Sequence, residues 1–327
     1  MARLFDFRKK APDIEGGAGA NILTLDIEDW CQSSPHVVQA ACRGKRLEIR
    51  PTEAAVVNTR CLLDILADYG ISATCFVLGS LAESFPGLVR EIQRAGHEIA
   101  SHGHFHHPVY LLSRQEFRED VQRSRTVLEQ ITGESVTGYR APYFSVTRRS
   151  GWALEVLAEI GMHYDASLYP VPSRYYRIAG RDDPEQVSRF PHTVFLAGRL
   201  LLELPATTLR AACQNFPAAG GAFLGFLPRF LFRLAIRRAN AEGHPAVLYI
   251  HPHDLDAAML QASEPAEALV SRLQSRTLAW RRGSIEGRLR ALLSESQFTS
   301  IREWMGQGRD QDAFASARPA ASSARQA

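Results

Sequence analysis

His97-Glu98-Ile99-Ala100-Ser101-His102-Gly103-His104-Phe105-His106-His107-Pro108-Val109 is a short apolar segment that runs into histidines, and its last nine residues hold four of the chain's 11. The first part has the character of a buried strand end, and Gly103 lets the backbone turn where the histidines begin. His102 and His106 stand four apart, so one helical turn after the strand would bring both imidazoles to one side. That spacing suits a metal ion. It also arises by chance in many histidine-rich surface loops, so its weight depends on what other strand ends carry.

The next such end lies upstream. Asn21-Ile22-Leu23-Thr24-Leu25-Asp26-Ile27-Glu28-Asp29-Trp30 begins as a nearly continuous apolar run, the mark of a strand buried on both faces, and finishes in three carboxylates. Alternate residues of an extended chain share a face, so Asp26 and Glu28 point together and Asp29 points away. The plain reading of Asp29 is a helix N-cap.

The same unit then repeats. Apolar spacing predicts helices over Pro51 to Tyr69, Leu81 to Ala95 and Arg149 to Ile160, and the capping box Ser113 to Glu116 opens another that runs to about Ile131 before Gly133. Strand-like runs cover Ile71 to Leu78, Val136 to Tyr143, Met162 to Leu168, Leu200 to Leu204 and Phe298 to Ile301. Ala246 to Ile250 is the clearest of them and leads into His251-Pro252-His253-Asp254. Tyr169 to Pro191, rich in proline, tyrosine and arginine, reads as a long loop. Pro228 to Gly243 reads as a basic amphipathic helix, and Glu267 to Trp280 and Glu286 to Leu293 as further helices. Strand, loop and helix recurring at about thirty residues per unit argue for a parallel sheet, closed or open, covered by helices, an α/β fold. Reactive groups in such sheets collect at the carboxyl ends of strands. Asp26, His102, Arg140, Asp165 and His251 all fall there.

Composition sets the limits. The chain has 327 residues, 45% apolar and 22% charged, which fits one large globular domain. A formal net charge of +3 is too small to point to nucleic acid. The five cysteines, at 31, 42, 61, 75 and 213, form no C-x-x-C pair and leave one over under any pairing, which suits reduced thiols. Residues 1–20 read as a flexible segment without the apolar stretch of a secretion signal, 21–305 as the barrel with a C-terminal extension from about 255, and 306–327 as a disordered tail. No run is long and apolar enough for a transmembrane helix. The expectation is a cytoplasmic protein, at most peripheral at the inner membrane face through the arginines of Pro228 to Gly243; the bland alternative is that those arginines are a solvated helix face.

Taken in order, carboxylates, H-x-x-x-H, Arg140-Ala141-Pro142-Tyr143, Asp165 and an apolar strand ending at His251 resemble the NodB-like polysaccharide deacetylases, carbohydrate esterase family four. The motifs cover about Asn21 to Asp254. Tyr249 to Asp254 looks closest to the branch found beside exopolysaccharide and PEP-CTERM export loci. The resemblance implies a distorted (β/α) barrel, a divalent metal, usually zinc, and removal of N-acetyl groups from a polysaccharide or lipid-linked sugar precursor. Asp26 then falls at the general base, Glu28 or Asp29 at the carboxylate ligand, and His102 and His106 at the histidine ligands. Arg140 matches the residue that orients the base, Tyr143 the one whose backbone N–H faces the oxyanion, Asp165 the aspartate that tunes the acid, and His251 the acid. The family more often has two adjacent aspartates where this chain reads Asp26-Ile27-Glu28-Asp29. Glu28 is preferred as ligand because it shares a face with Asp26, with Asp29 as the substitute. His253 stands where that branch tends to have an aromatic residue, and it either lines the sugar site or competes with His251; His104 and His107 are rim or supporting residues.

Two other functions fit the same residues. One is hydrolysis of a small cyclic amide or ureide on this fold; the other is a sugar-binding scaffold without turnover. Base, ligands, arginine and acid standing together argue against the scaffold. No oligomeric state is read from the chain.

Overall fold

The computed structural model describes residues 19–172, 187–256 and 285–307. The chain runs through β1 (Asn21–Ile27), α1 (Pro35–Cys42), α2 (Glu53–Asp68), β2 (Thr74–Val77), α3 (Gly79–Ser84), α4 (Pro86–Arg94) and β3 (Glu98–Ser101). It continues with α5 (Arg114–Thr132), β4 (Gly138–Tyr139), α6 (Trp152–Glu159), β5 (Tyr164–Asp165), β6 (His192–Leu196), β7 (Arg199–Glu203), β8 (Thr208–Ala211), β9 (Gln214–Pro217), α7 (Gly221–Phe226), α8 (Arg229–Ala241) and β10 (Val247–Ile250). A helix over 285–295, β11 (Phe298–Thr299) and a helix at Ile301–Gln307 follow.

Nine strands form one curved sheet in the order β10-β1-β2-β3-β4-β5-β7-β6, with β11 beside β1. Every pairing in it is parallel except the hairpin β6–β7. All seven residues of β1 are buried, as its unbroken apolar run requires of a central parallel strand. Helices cover the outside, α2 through Leu62, Ile65 and Leu66, α4 through Leu88, Val89 and Ile92, and α5 through Phe117, Val121 and Leu128. Burying one such side chain contributes about 1.5–3 kcal/mol. Helix α5 opens with the Ser113 and Glu116 capping box and stops at Gly133 in the left-handed region (φ 71°), both as the sequence requires.

The barrel is incompletely closed. Among the described residues β10 and the β6–β7 pair share no ladder, and the gap is filled by irregular backbone after β7 and the β8–β9 pair. Single contacts cross it: Thr207 N–H donates to the Val247 carbonyl (3.0 Å) and Tyr249 N–H to the Ala219 carbonyl (3.0 Å). The opposite end is sealed. Glu98 Oε2 accepts from Thr74 Oγ1 (2.6 Å) and Arg302 N (2.9 Å), and Glu98 Oε1 from the Tyr164 hydroxyl (2.9 Å).

Three local expectations are corrected. The helix expected over Leu81 to Ala95 is two helices, because Pro86 offers no N–H and Phe85 before it is held at φ −132°. Leu200 to Leu204 has an antiparallel partner, β6, and a second hairpin follows. Their tight turns lie at Ala197-Gly198 (φ 50° and 77°) and Ala212-Cys213 (φ 46° and 60°). Such turns ordinarily announce themselves with Asn-Gly or Asp-Gly, which neither has. The last helix reaches Gln307, just past the expected tail boundary at 306. The predicted helix Glu267 to Trp280, most of the loop Tyr169 to Pro191 and nearly all of 1–20 and 306–327 lie outside the described residues. No described helix is long and apolar enough to cross a membrane. In α8, Phe232, Ala235, Ile236 and Ala239 are buried, while Arg233 meets Glu295 (3.1 Å), the arrangement of an outer covering helix.

Gly138 is the tightest point of the sheet. A Cβ there would lie 1.9 Å from Cζ of Tyr164, whose hydroxyl is anchored on Glu98. Gly138→Ala is expected to lower stability by about 2 kcal/mol or more, read by chemical denaturation; an unchanged midpoint would mean the ring moves aside freely.

Candidate metal centre

The carboxyl ends of β1, β3, β4 and β10 converge on one point. Glu28, His102 and His106 each bring one donor atom there, all within 4.8 Å of one another, and all three residues are buried. Glu28 Oε2 lies 3.8 Å from His102 Nε2 and in closer ion-pair contact with His106 Nε2. It is enclosed and receives no properly directed hydrogen bond among the described residues. His102 Nδ1 pairs with the Arg140 carbonyl (2.9 Å), so it carries the proton and the Nε2 lone pair faces Glu28.

The two histidines do not meet on a helical turn. The backbone after β3 loops instead, with Gly103 at φ 76° and His106 at φ 59°. A non-glycine residue in that region costs about 1–3 kcal/mol and persists only where its surroundings fix it. Here they do: Asp120 on α5 accepts from His104 N (2.8 Å) and Phe105 N (3.3 Å), while Gly79 N and Ser80 N at the start of α3 donate to the Gly103 and His104 carbonyls (2.9 and 3.1 Å). A Cβ on residue 103 would lie 2.8 Å from Asp120 Oδ2, so glycine is required twice over. His104 turns away from the ligands, with Nε2 3.6 Å from Glu83 Oε2.

Asp29 is corrected as a ligand. It caps the turn Trp30–Ser33 through Cys31 N, and its Oδ2 accepts from Thr52 N and Oγ1 (2.5 and 2.7 Å), so its oxygens are committed elsewhere. Glu28 alone of the two faces the histidines.

Asp26 is paired with Arg140, whose Nη1 donates to Asp26 Oδ1 (2.6 Å) and lies 2.7 Å from Thr24 Oγ1. The guanidinium stacks over Phe76 (4.3 Å), and its Nε donates to the Ala166 carbonyl (3.0 Å). His251 Nε2 stands 3.8 Å from Asp26 Oδ2 and 3.7 Å from Glu28 Oε1. Tyr143, at φ 57°, lays its ring 4.5 Å from that of His106 and donates its hydroxyl to the Gln32 carbonyl (2.7 Å).

The role expected of Asp165 is also corrected. Its carboxylate accepts from Ser167 Oγ (2.6 Å) and N (3.1 Å) and pairs with Glu203, whereas the carboxylate against His251 Nδ1 is Asp254 (3.3 Å). Burial works to lower the His251 pKa, but the Asp254 hydrogen bond and charge, then Glu28 and Asp26, outweigh it and raise the imidazole to about 9. That direction favours the protonated imidazole, the form a general acid needs. Burial pulls His102 the other way, down to about 4, which leaves it neutral as a ligand must be. Burial alone would raise Glu28, yet His106 and then His251 and His253 hold it well below the usual carboxylate range.

The residues fit a divalent cation. Two imidazoles and one carboxylate, with an enclosed oxygen lacking a hydrogen bond at their centre, are the donor set of zinc-type catalytic sites. Sequence reasoning missed Asp120, Asp254 and Glu203 as supporting groups. A signal existed for the first: Asp120 stands on the i, i+3, i+4, i+7, i+11 stripe with Phe117, Val121, Ser124 and Leu128 that α5 turns inward. For Asp254 the signal was its place three residues after His251.

Residues 52–164 match the family model described as Polysaccharide deacetylase, and residues 166–306 match one described as Domain of unknown function (DUF3473). Over 109 residues the chain is 35% identical to the peptidoglycan deacetylase of Helicobacter pylori, covering 33% of this chain and 36% of that protein. The match thus spans about a third of that relative's length. Among solved structures, a Mycobacterium smegmatis protein provisionally described as a polysaccharide deacetylase aligns with TM-score 0.56 at 20% identity, covering 93% of this chain and 96% of that one. Puue allantoinase aligns with TM-score 0.53 at 18% identity, covering 92% and 94%. At these identities the two structures speak for the fold alone.

Asp120→Ala should free the histidine loop, weakening zinc affinity at least about tenfold and lowering stability by about 1–3 kcal/mol; calorimetric titration and denaturation read the two separately. A second expectation concerns Glu203, which burial and then the Asp165 charge push well above the ordinary carboxyl range. A carboxyl raised on folding contributes stability that is full below its unfolded pKa and is lost as pH rises through the folded value. Wild-type stability should therefore fall from about pH 4 upward through this group, and Glu203→Gln should flatten that slope in denaturation at a series of pH values.

Proposed function

We infer that the polysaccharide deacetylase segment and the residues flanking it on both sides form one hydrolytic site, and we propose that the protein removes N-acetyl groups from a glycan. The observation that carries this reading is the convergence of Glu28, His102 and His106 beside an arginine-held aspartate and a cationic histidine. Few reactions need a base, an acid and a Lewis-acid site within one hydrogen-bond radius of each other. Amide hydrolysis is one, because water is a weak nucleophile and an amine a poor leaving group.

Glu28, His102 and His106 would hold a divalent cation of zinc type, which when bound polarises a carbonyl and brings the pKa of water towards about 7. Arg140 holds Asp26 Oδ1 and fixes the direction of Oδ2, so Asp26 takes the proton from the attacking water. His251 delivers its proton to the departing sugar nitrogen, and Asp254 holds the ring so that Nε2 faces inward. Tyr143 is assigned to the oxyanion through its backbone N–H, on the strength of the family resemblance.

The glycan class is supported by the activity for which the Helicobacter pylori relative is named. The finer substrate reading rests on the resemblance alone: a polysaccharide or lipid-linked precursor bound for export. Cyclic ureides are the discriminating control, since Puue allantoinase shares the fold.

His102→Ala should lose metal while keeping the fold. Asp26→Asn should keep metal and lose turnover by about 10²-fold or more on acetylated chito-oligosaccharides, with acetate release and metal content measured on the same sample. Full turnover in Asp26→Asn would remove the base from this scheme, and turnover of cyclic ureides alone would replace the substrate class.

A further inference from the structure

His251, His253 and Asp254 form a second group of potential ligands that the hydrolytic reading uses only in part. They sit on the turn Pro252–Leu255 that follows β10. The rings of His251 and His253 stack with centroids 4.8 Å apart and planes 17° from parallel, and Pro252 between them restricts the backbone that sets this register. One nitrogen of each ring and one Asp254 oxygen lie within 4.8 Å of one another. Donors held at roughly 2.0–2.3 Å from a single ion stand about 3–4 Å apart, so small side-chain shifts close the set.

We propose that this group is a second divalent-cation site, weaker than the first and inhibitory when filled. Asp254 is buried and fixed from behind, where a Cβ on Gly221 would lie 2.0 Å from its Oδ2, while both histidines are partly exposed. A cation therefore reaches the group from solvent without opening the core. Two imidazoles and one carboxylate select zinc, nickel or copper(II) over calcium or magnesium. Binding replaces the proton that His251 Nδ1 shares with Asp254 and releases it to solvent. Three carboxylates, Asp26, Glu28 and Asp254, surround the two groups, and Arg140 already offsets one. A cation at Glu28, His102 and His106 offsets the other two, so the second ion gains no net attraction and should bind at least about tenfold more weakly. Loss of turnover on filling follows only if His251 is the acid proposed above; the binding itself does not depend on that role.

The full chain, stripped of metal, is titrated with zinc chloride by calorimetry, and bound zinc is counted on the same sample. Two classes of site are expected. His253→Ala, or His253→Gln if the first fails a thermal-melting check, should remove only the weaker class and leave the tighter one. His102→Ala should remove the tighter class and leave the weaker. Excess zinc should inhibit the wild type at least fivefold more than His253→Ala. A single class in the wild type that both His253 variants keep, or two classes unchanged by both variants, overturns the proposal. Loss of the weaker class in His253→Ala without any tight class in the wild type supports it and overturns instead the assignment of Glu28, His102 and His106.

Discussion

Arg140 is fully buried, and burying a guanidinium costs several kcal/mol unless every part of it is answered. The answer comes from three strand ends and is incomplete, since Nη2 has no hydrogen-bond partner among the described residues. Its Nη1 is held by Asp26 on β1, its Nε by the carbonyl of Ala166 just past β5, its own N–H by Ser101 at the end of β3, and its carbonyl by His102 Nδ1. One residue just past the two-residue strand β4 thus sets the direction of the aspartate and the tautomer of the histidine together. The charge is tolerated there because the sheet curves far enough to bring β1 and β5 to opposite sides of it.

The reactive group is assembled across boundaries that family models draw through the chain. His102, His106, Arg140 and Tyr143 fall in the matched segment 52–164, Asp26 and Glu28 precede it, and His251, Asp254 and Glu203 fall in 166–306. That last segment supplies β7 beside β5 and β10 beside β1, so it completes the sheet rather than sitting beside it. Neither flank is dispensable to the geometry.

What the sequence disclosed was whatever a local pattern encodes. The unbroken apolar runs of β1 and β10, the capping box of α5 and the order of reactive residues at strand ends were all legible, because burial, capping and alternation act within a few residues. What stayed hidden was set by contacts distant in the chain. Asp29 and Glu28 are chemically alike, and Thr52, 23 residues away, joins Cys31 in taking Asp29 out of the ligand set. The resemblance matches Asp165 to the aspartate that tunes the acid, yet β7 places Glu203 against it. The histidine spacing was read correctly as a pair but for the wrong backbone, since a loop stapled by Asp120 gives the same juxtaposition as a helical turn. The two hairpins escaped notice because alanine and cysteine occupy turn positions usually marked by glycine or asparagine.

The seam between β7 and β10 has a different kind of consequence. Strands joined by ladders are locked in register, so an added residue anywhere in them turns side chains inside out. The backbone from 204 to 220 meets β10 through isolated contacts instead, beginning where β7 delivers Glu203 and finishing against Tyr249, two residues before His251. Chain can be inserted or removed along it without disturbing the alignment of any parallel strand. Evolution therefore has latitude to reshape the molecule beside its reactive rim, while the sealed floor around Glu98 admits almost none.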